Sequence, residues 1–190
     1  MRHLRCCALL LAVALAWAGE AARATAAVVV VMDGARWSET WGDPRHDLVP
    51  HLAADLAPAG VMMTRFENRG PTVTNPGHAA IATGCYHLRL DNDGSGALEQ
   101  PSFLHAWLAA DAARPATAAW IIAGKPKLAM LADCALAEWR ERAKPSTDCG
   151  QVVDGKAKMR SDAATVDAAL AILKRERPRV LLINLADVDA

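Results

Sequence analysis

The chain has no excess of either charge: Lys plus Arg and Asp plus Glu number 21 each among its 190 residues. That balance argues against a protein that binds nucleic acid, which normally shows a basic excess. Aromatic side chains are scarce, at 5% with a single Tyr. Alanine supplies much of the apolar fraction, so the predicted core is lean and takes its bulk from tryptophan. No apolar run reaches the ~20 residues that a bilayer-spanning helix needs. No two cysteines have the CxxC spacing of a zinc ribbon, which argues against a thiolate metal site. Hydrophobic residues nevertheless make up 53% of the chain and charged residues 22%. That composition excludes a disordered chain, and the length suits one domain, or part of a larger one.

What is present begins with a targeting pattern. Arg2 and Arg5 precede an apolar stretch from Cys6 to Trp17, and Ala24-Thr25-Ala26 supplies small residues before a cut. The three parts in this order predict a cleaved secretory signal over residues 1–26, and a periplasmic or secreted product with no stable membrane anchor. Cys6 and Cys7 fall inside it. In an exported protein Cys134 and Cys149 are spaced to bridge across a short loop, leaving Cys85 free, but spacing alone leaves the pairing open.

Residues 27–190 read as alternating strands and helices. Ala27 to Met32 is a near-pure valine run, the pattern of a strand buried on both faces. A short helix is expected over 50–57, a strand over 61–67, a helix over 76–82 closed by Gly84, a helix over 101–113 and a strand over 116–123. The stretch 125–155 is mixed. Ser161 is an N-cap, Val166, Ala169, Leu170 and Leu173 follow helical spacing, and Lys174, Arg175 and Arg177 suit the end of a helix before Pro178. Residues 180–185 read as a second buried-type strand. This order predicts an α/β fold with a mostly parallel sheet sandwiched between helices.

In such sheets ligands bind beyond the carboxyl ends of the strands. Asp33 ends the first strand there, and Asp187 and Asp189 follow the last. Between them Pro71-Thr72-Val73-Thr74-Asn75-Pro76-Gly77-His78 leads into a helix. Thr74 or Asn75 at that helix start is either an ordinary N-cap or a hydroxyl poised at an anion site. Asp33-Gly34 alone is either a turn or a ligand. Two strand-end carboxylates beside a helix-start hydroxyl form a hard-oxygen cation site next to an anion site, which suits metal-assisted attack on a phosphate or sulfate ester.

These residues resemble the alkaline phosphatase superfamily, which includes nucleotide pyrophosphatase/phosphodiesterases and sulfatases. The resemblance lies in Val-Val-Met-Asp33-Gly34, in Pro71-Thr-Val-Thr74-Asn-Pro-Gly-His78 with Ala82-Thr83-Gly84 behind it, and in Asn184-Leu-Ala-Asp187-Val-Asp189. It implies Thr74 as nucleophile and metal ligand, Asp33 and Asp189 as further ligands, and two divalent ions, as zinc. It also implies that Asn75, Asn92, Lys125 and Lys127 bind a small phosphate or sulfate ester, with Lys125-Pro126-Lys127 similar to a Lys-x-Arg segment. His78 is expected to pack or cap beside the site. Asp91 to Gly96 also weakly resembles a calcium loop, but Ser102 stands where the bidentate Glu belongs, and a surface turn is the simpler reading.

The chain departs from that pattern after Asp189. The Gly-His expected next, and the later Asp, His and His ligands, do not occur in it, and His46, His51, His87 and His105 occupy unrelated positions. Three oxygen ligands hold zinc weakly. The resemblance therefore implies the N-terminal portion of such a domain, inactive as it stands. The rival reading is a non-catalytic domain that keeps only the helix-start site for phosphate-bearing ligands.

Overall fold

The computed structural model describes residues 25–140 and 142–189. The expected signal segment lies almost wholly outside the described residues. In chain order the strands are β1 (Ala27–Met32), β2 (Ala119–Ala123), β3 (Ser146–Cys149), β4 (Gln151–Val153), β5 (Lys156–Lys158) and β6 (Val180–Leu185). The helices are α1 (Thr74–Thr83), α2 (Phe103–Ala109), α3 (Ala137–Arg140) and α4 (Asp162–Glu176).

The fold is α/β. Strands β1, β6, β2 and β3 lie side by side in that order, and every neighbouring pair is parallel. Strands β4 and β5 form a separate antiparallel hairpin. The side-chain period of two splits the apolar strands between two cores. Ala119, Ile121, Val180 and Leu182 pack with Ala79 and Ala82 of α1 and Leu104 and Leu108 of α2. Trp120, Ile122, Leu181 and Ile183 pack on the other face with Ala169 and Ile172 of α4. That double burial is why β2 and β6 read as continuous apolar runs. Truncating one fully buried member, as in Ile121→Ala, should cost roughly 2–5 kcal/mol.

Helix α4 follows local rules closely. Ser161 caps it by accepting from the Ala164 N–H at 3.3 Å, and Lys174 and Arg175 lie in its last turn. Helix α2 starts at Phe103 because Ser102 caps it, and it ends at Ala109, short of the expected bound at 113. The Ser102 hydroxyl accepts from the His105 N–H, and the His105 ring accepts from the Ser102 N–H, a reciprocal capping box.

Other expectations need correction. Among the described residues β1 pairs with β6 alone and stands at the sheet edge, and Val28 and Val30, which share one of its faces, are about half exposed rather than buried on both faces. Residues 61–67 form no strand. No neighbouring strand pairs with them, and Val61, Met63 and Phe66 are exposed. The expected helix over 50–57 is a π turn at Leu52–Leu56 followed by a 3-10 turn at Ala57–Ala59. Residues 116–118 are a 3-10 turn, so the strand starts only at Ala119. Among the described tryptophans only Trp120 is buried, and Leu and Ile side chains provide the bulk instead. Cys134 and Cys149 are free thiols rather than a bridge. Cys134 lies in a backbone bridge to Leu98, while the Cys149 Sγ–H turns toward the Ile121 carbonyl. Burial pushes the Cys149 thiol up to about 12.

Candidate functional site

Three adjacent strands end at the same edge of the sheet and each delivers one charged residue. Asp33 follows β1, and its N–H extends the ladder to the Leu185 carbonyl at 2.9 Å. Gly124 and Lys125 follow β2, with the Gly124 N–H donating to the Asn184 carbonyl at 3.1 Å. Asp187 to Asp189 form a 3-10 turn after β6. That turn is fixed by a reciprocal clasp with the start of α4. Asp162 Oδ1 accepts from the Ala186 and Asp187 N–H groups at 2.6 and 3.2 Å, while Asp187 Oδ2 accepts from the Asp162 N–H at 2.9 Å. Asp187 is thus a structural carboxylate, and Asp189 faces the site.

Helix α1 delivers Thr74. Its N-cap is Val73, which makes no side-chain cap, and Thr74 is the first helical residue. The ordinary N-cap reading of Thr74 is therefore excluded, and its hydroxyl is turned to the sheet edge. Pro76 in the first turn lacks only a donor that would be unpaired there. Gly84, at φ 73°, closes the helix in the left-handed conformation.

The charged groups meet at one point. The Lys125 ammonium donates to Asp33 Oδ2 at 2.7 Å, to Thr74 Oγ1 at 3.2 Å and to Asp189 Oδ2 in a very short contact. Lys125 is 5% exposed. Burial pushes its pKa down, but the hydrogen bonds to Asp189 and Asp33 outweigh that and leave it raised, so the ammonium stays charged. The same hydrogen bond holds the Asp189 carboxyl below its ordinary range. Gly34 makes this approach possible. It has φ +80°, and a Cβ there would lie 2.7 Å from the Asp189 Cβ.

Further hydrogen-bond donors lie alongside. The Asn75 N–H, at the start of α1, donates to Asn92 Oδ1 at 3.0 Å, and the Lys127 ammonium donates to the same oxygen at 3.0 Å. Burial, then the neighbouring Lys125 charge, lowers the Lys127 pKa. Gly94, at φ +90°, lets the Asn92 loop press on Lys127, whose Cβ would lie 2.7 Å from an added methyl. A cleft of about 720 Å³ is bordered by Thr74, Asn92, Lys125, Lys127 and Asp189. A second, largely apolar cavity of about 380 Å³ also borders Thr74 and Asp33, and Phe66, Ile81 and Tyr86 line it.

Asp33, Thr74, Asn92, Lys125, Lys127 and Asp189 are thus brought to one edge, whereas the Asn75 side chain takes no part in the cluster. Its amide is fully buried and both its polar atoms lack a partner. His78 is buried and not free to ligate. Its Nδ1–H donates to the Thr74 carbonyl at 2.8 Å, and its Nε2 accepts from Asn184 Nδ2 at 3.0 Å. Burial lowers its pKa, which keeps the ring neutral as that pattern requires. Sequence reasoning included Asn184 in the last matching segment but gave it no role, although a lone amide inside the apolar run of β6 was its signal. It missed Arg160, a buried guanidinium that bonds Asp148 Oδ1 at 2.7 Å and the Ala123 carbonyl at 3.3 Å, bracing the end of β2.

The oxygens decide how a metal would fit. Asp33 Oδ2, Thr74 Oγ1 and Asp189 Oδ2 surround one point, and a cationic group holds it. A hard divalent ion would find three oxygen ligands there. Among the described residues no group of three or more His, Cys, Asp or Glu side chains gathers, so ligands for the second of two zinc ions are not found among them. No helix among the described residues is long and apolar enough to cross a membrane. In comparisons with known proteins, no family model, no curated protein and no solved structure matches the chain.

Proposed function

We propose that the cleft at Thr74 is the substrate site of an exported phosphate- or sulfate-ester hydrolase in which the Thr74 hydroxyl is the nucleophile. The observation that carries this reading is the convergence of Asp33, Thr74 and Asp189 on one cation, from segments 51 to 92 residues away from Lys125 in sequence. A free hydroxyl at the first position of a helix, beside an ammonium, is favoured as an alkoxide by both the helix dipole and the adjacent charge. The His78 bond to the Thr74 carbonyl fixes the backbone that carries it.

Charge argues for a further cation. Asp33 and Asp189 balance Lys125 and Lys127, so the cluster is neutral as it stands and attracts a dianionic ester only weakly. A divalent ion bound by Asp33, Thr74 and Asp189 would supply Lewis acidity and lower the pKa of a bound hydroxyl. Lys127, Asn92 and the N–H groups opening α1 would orient the anionic oxygens. The apolar cavity beside Thr74 suits an aryl or alkyl leaving group.

The test gives the full-length protein an aryl phosphate and an aryl sulfate with zinc. Zinc-dependent release of phenol that Thr74→Ala abolishes supports the reading. Full activity in Thr74→Ala refutes it, and phosphate-dependent stabilisation without turnover favours the non-catalytic binding domain.

A further inference from the structure

The cation site holds a side chain of the protein itself. Lys125 is rooted between Gly124 and Pro126, and its backbone is extended at φ −91° and ψ 119°, as the following proline requires. From there its four-carbon stem reaches the point between Asp33, Thr74 and Asp189, with the side chain only 6% exposed. The ammonium donates to all three oxygens, and these are the same three that a divalent ion would find there. A lysine ammonium is a compact point charge on a flexible stem, so it can leave such a position without moving the backbone. The adjoining cleft, bordered by Asn92 and Lys127 as well as by Lys125, offers it somewhere to go.

We propose that Lys125 and a divalent cation are mutually exclusive occupants of the Asp33–Thr74–Asp189 site. Without metal, Lys125 is an internal counter-ion that holds two close carboxylates together. When metal enters, the ammonium is released into the cleft, where it adds a positive charge beside Lys127. One residue thereby keeps the site assembled without metal and strengthens its anion affinity when metal is bound. This inference rests on the reading of the cleft as an ester-hydrolysing site, and deepens it.

Zinc titration calorimetry on the chain and on Lys125→Met tests the competition. Removing the competing ammonium should tighten zinc binding by about tenfold or more, given the strength of charge–charge terms at these distances. Equal or weaker affinity in Lys125→Met overturns the proposal. A second measurement needs no variant. Acetylation of Lys125 by an N-hydroxysuccinimide ester, followed by peptide mass spectrometry, should speed up severalfold when zinc is added, and Asp189→Asn should blunt that response. Labelling that zinc leaves unchanged or slows overturns the proposal as well. The outcomes separate this inference from the one beneath it. Zinc-linked release of Lys125 without hydrolysis by the full-length protein upholds the competition and removes the enzymatic reading. Hydrolysis with equal zinc affinities removes the competition alone, and no zinc binding by either protein removes the competition together with the metal.

Discussion

Asn184 Nδ2 donates to His78 Nε2 at 3.0 Å, joining the last turn-facing residues of β6 to the helix that begins at Thr74. The bond crosses 106 residues of sequence, and His78 passes the constraint on to the Thr74 carbonyl at 2.8 Å. The relay orients the backbone of the candidate nucleophile through a neutral imidazole. Asn184→Leu leaves the buried Nε2 without a donor, and should destabilise the chain by about 1–3 kcal/mol. Urea unfolding checks this, and an unchanged midpoint would show that the bond contributes nothing.

Gly34 is required twice over, by φ +80° and by a 2.7 Å approach to the Asp189 Cβ. Gly34→Ala should cost at least about 1–2 kcal/mol from backbone strain alone. It should also displace Asp189 from Lys125, so thermal stability and zinc affinity should fall together. A loss of stability with zinc binding intact would mean that Gly34 serves the turn and not the site.

These two relationships show what local sequence conveys. The bounds of β1 and β6 were legible because apolar β-branched runs flanked by turn residues favour strands wherever they pair. The start of α4 was legible because Ser161 is a strong cap. Whether a valine run lies at the edge or the centre of a sheet depends on its neighbours, so the exposure of Val28 and Val30 could not be read. Residues 61–67 have strand propensity but no partner, and pairing decides the outcome. The site residues were legible one by one, from strand ends and a helix start. Their meeting on Lys125 was not, because it depends on the order in which β1, β6 and β2 lie together.

His105 sets a pH dependence. It is fully buried, its Nε2–H donates to the Ala132 carbonyl at 3.1 Å, and its Nδ1 lies 2.6 Å from the Ser102 hydroxyl. Burial lowers its pKa, as it does for His78 and His87. The folded chain therefore resists a proton that the unfolded chain takes up near pH 6.5. The stability involved is fully present above about pH 6.5, and is lost as the pH falls from there through the folded-state value. Melting temperature should drop over that acid range, and the slope should flatten in His105→Gln. An identical slope in the variant would assign the acid sensitivity to other groups.

The central claim is that the Thr74 hydroxyl attacks the ester. Peptide mass spectrometry of the full-length protein after brief incubation with an aryl phosphate and zinc tests it most directly, because attack by Thr74 transfers the phosphoryl group to that side chain. The account predicts a phosphate on Thr74 that is absent in Thr74→Ala and absent without zinc. Aryl phosphate turnover with no phosphate on Thr74, undiminished in Thr74→Ala, would contradict it.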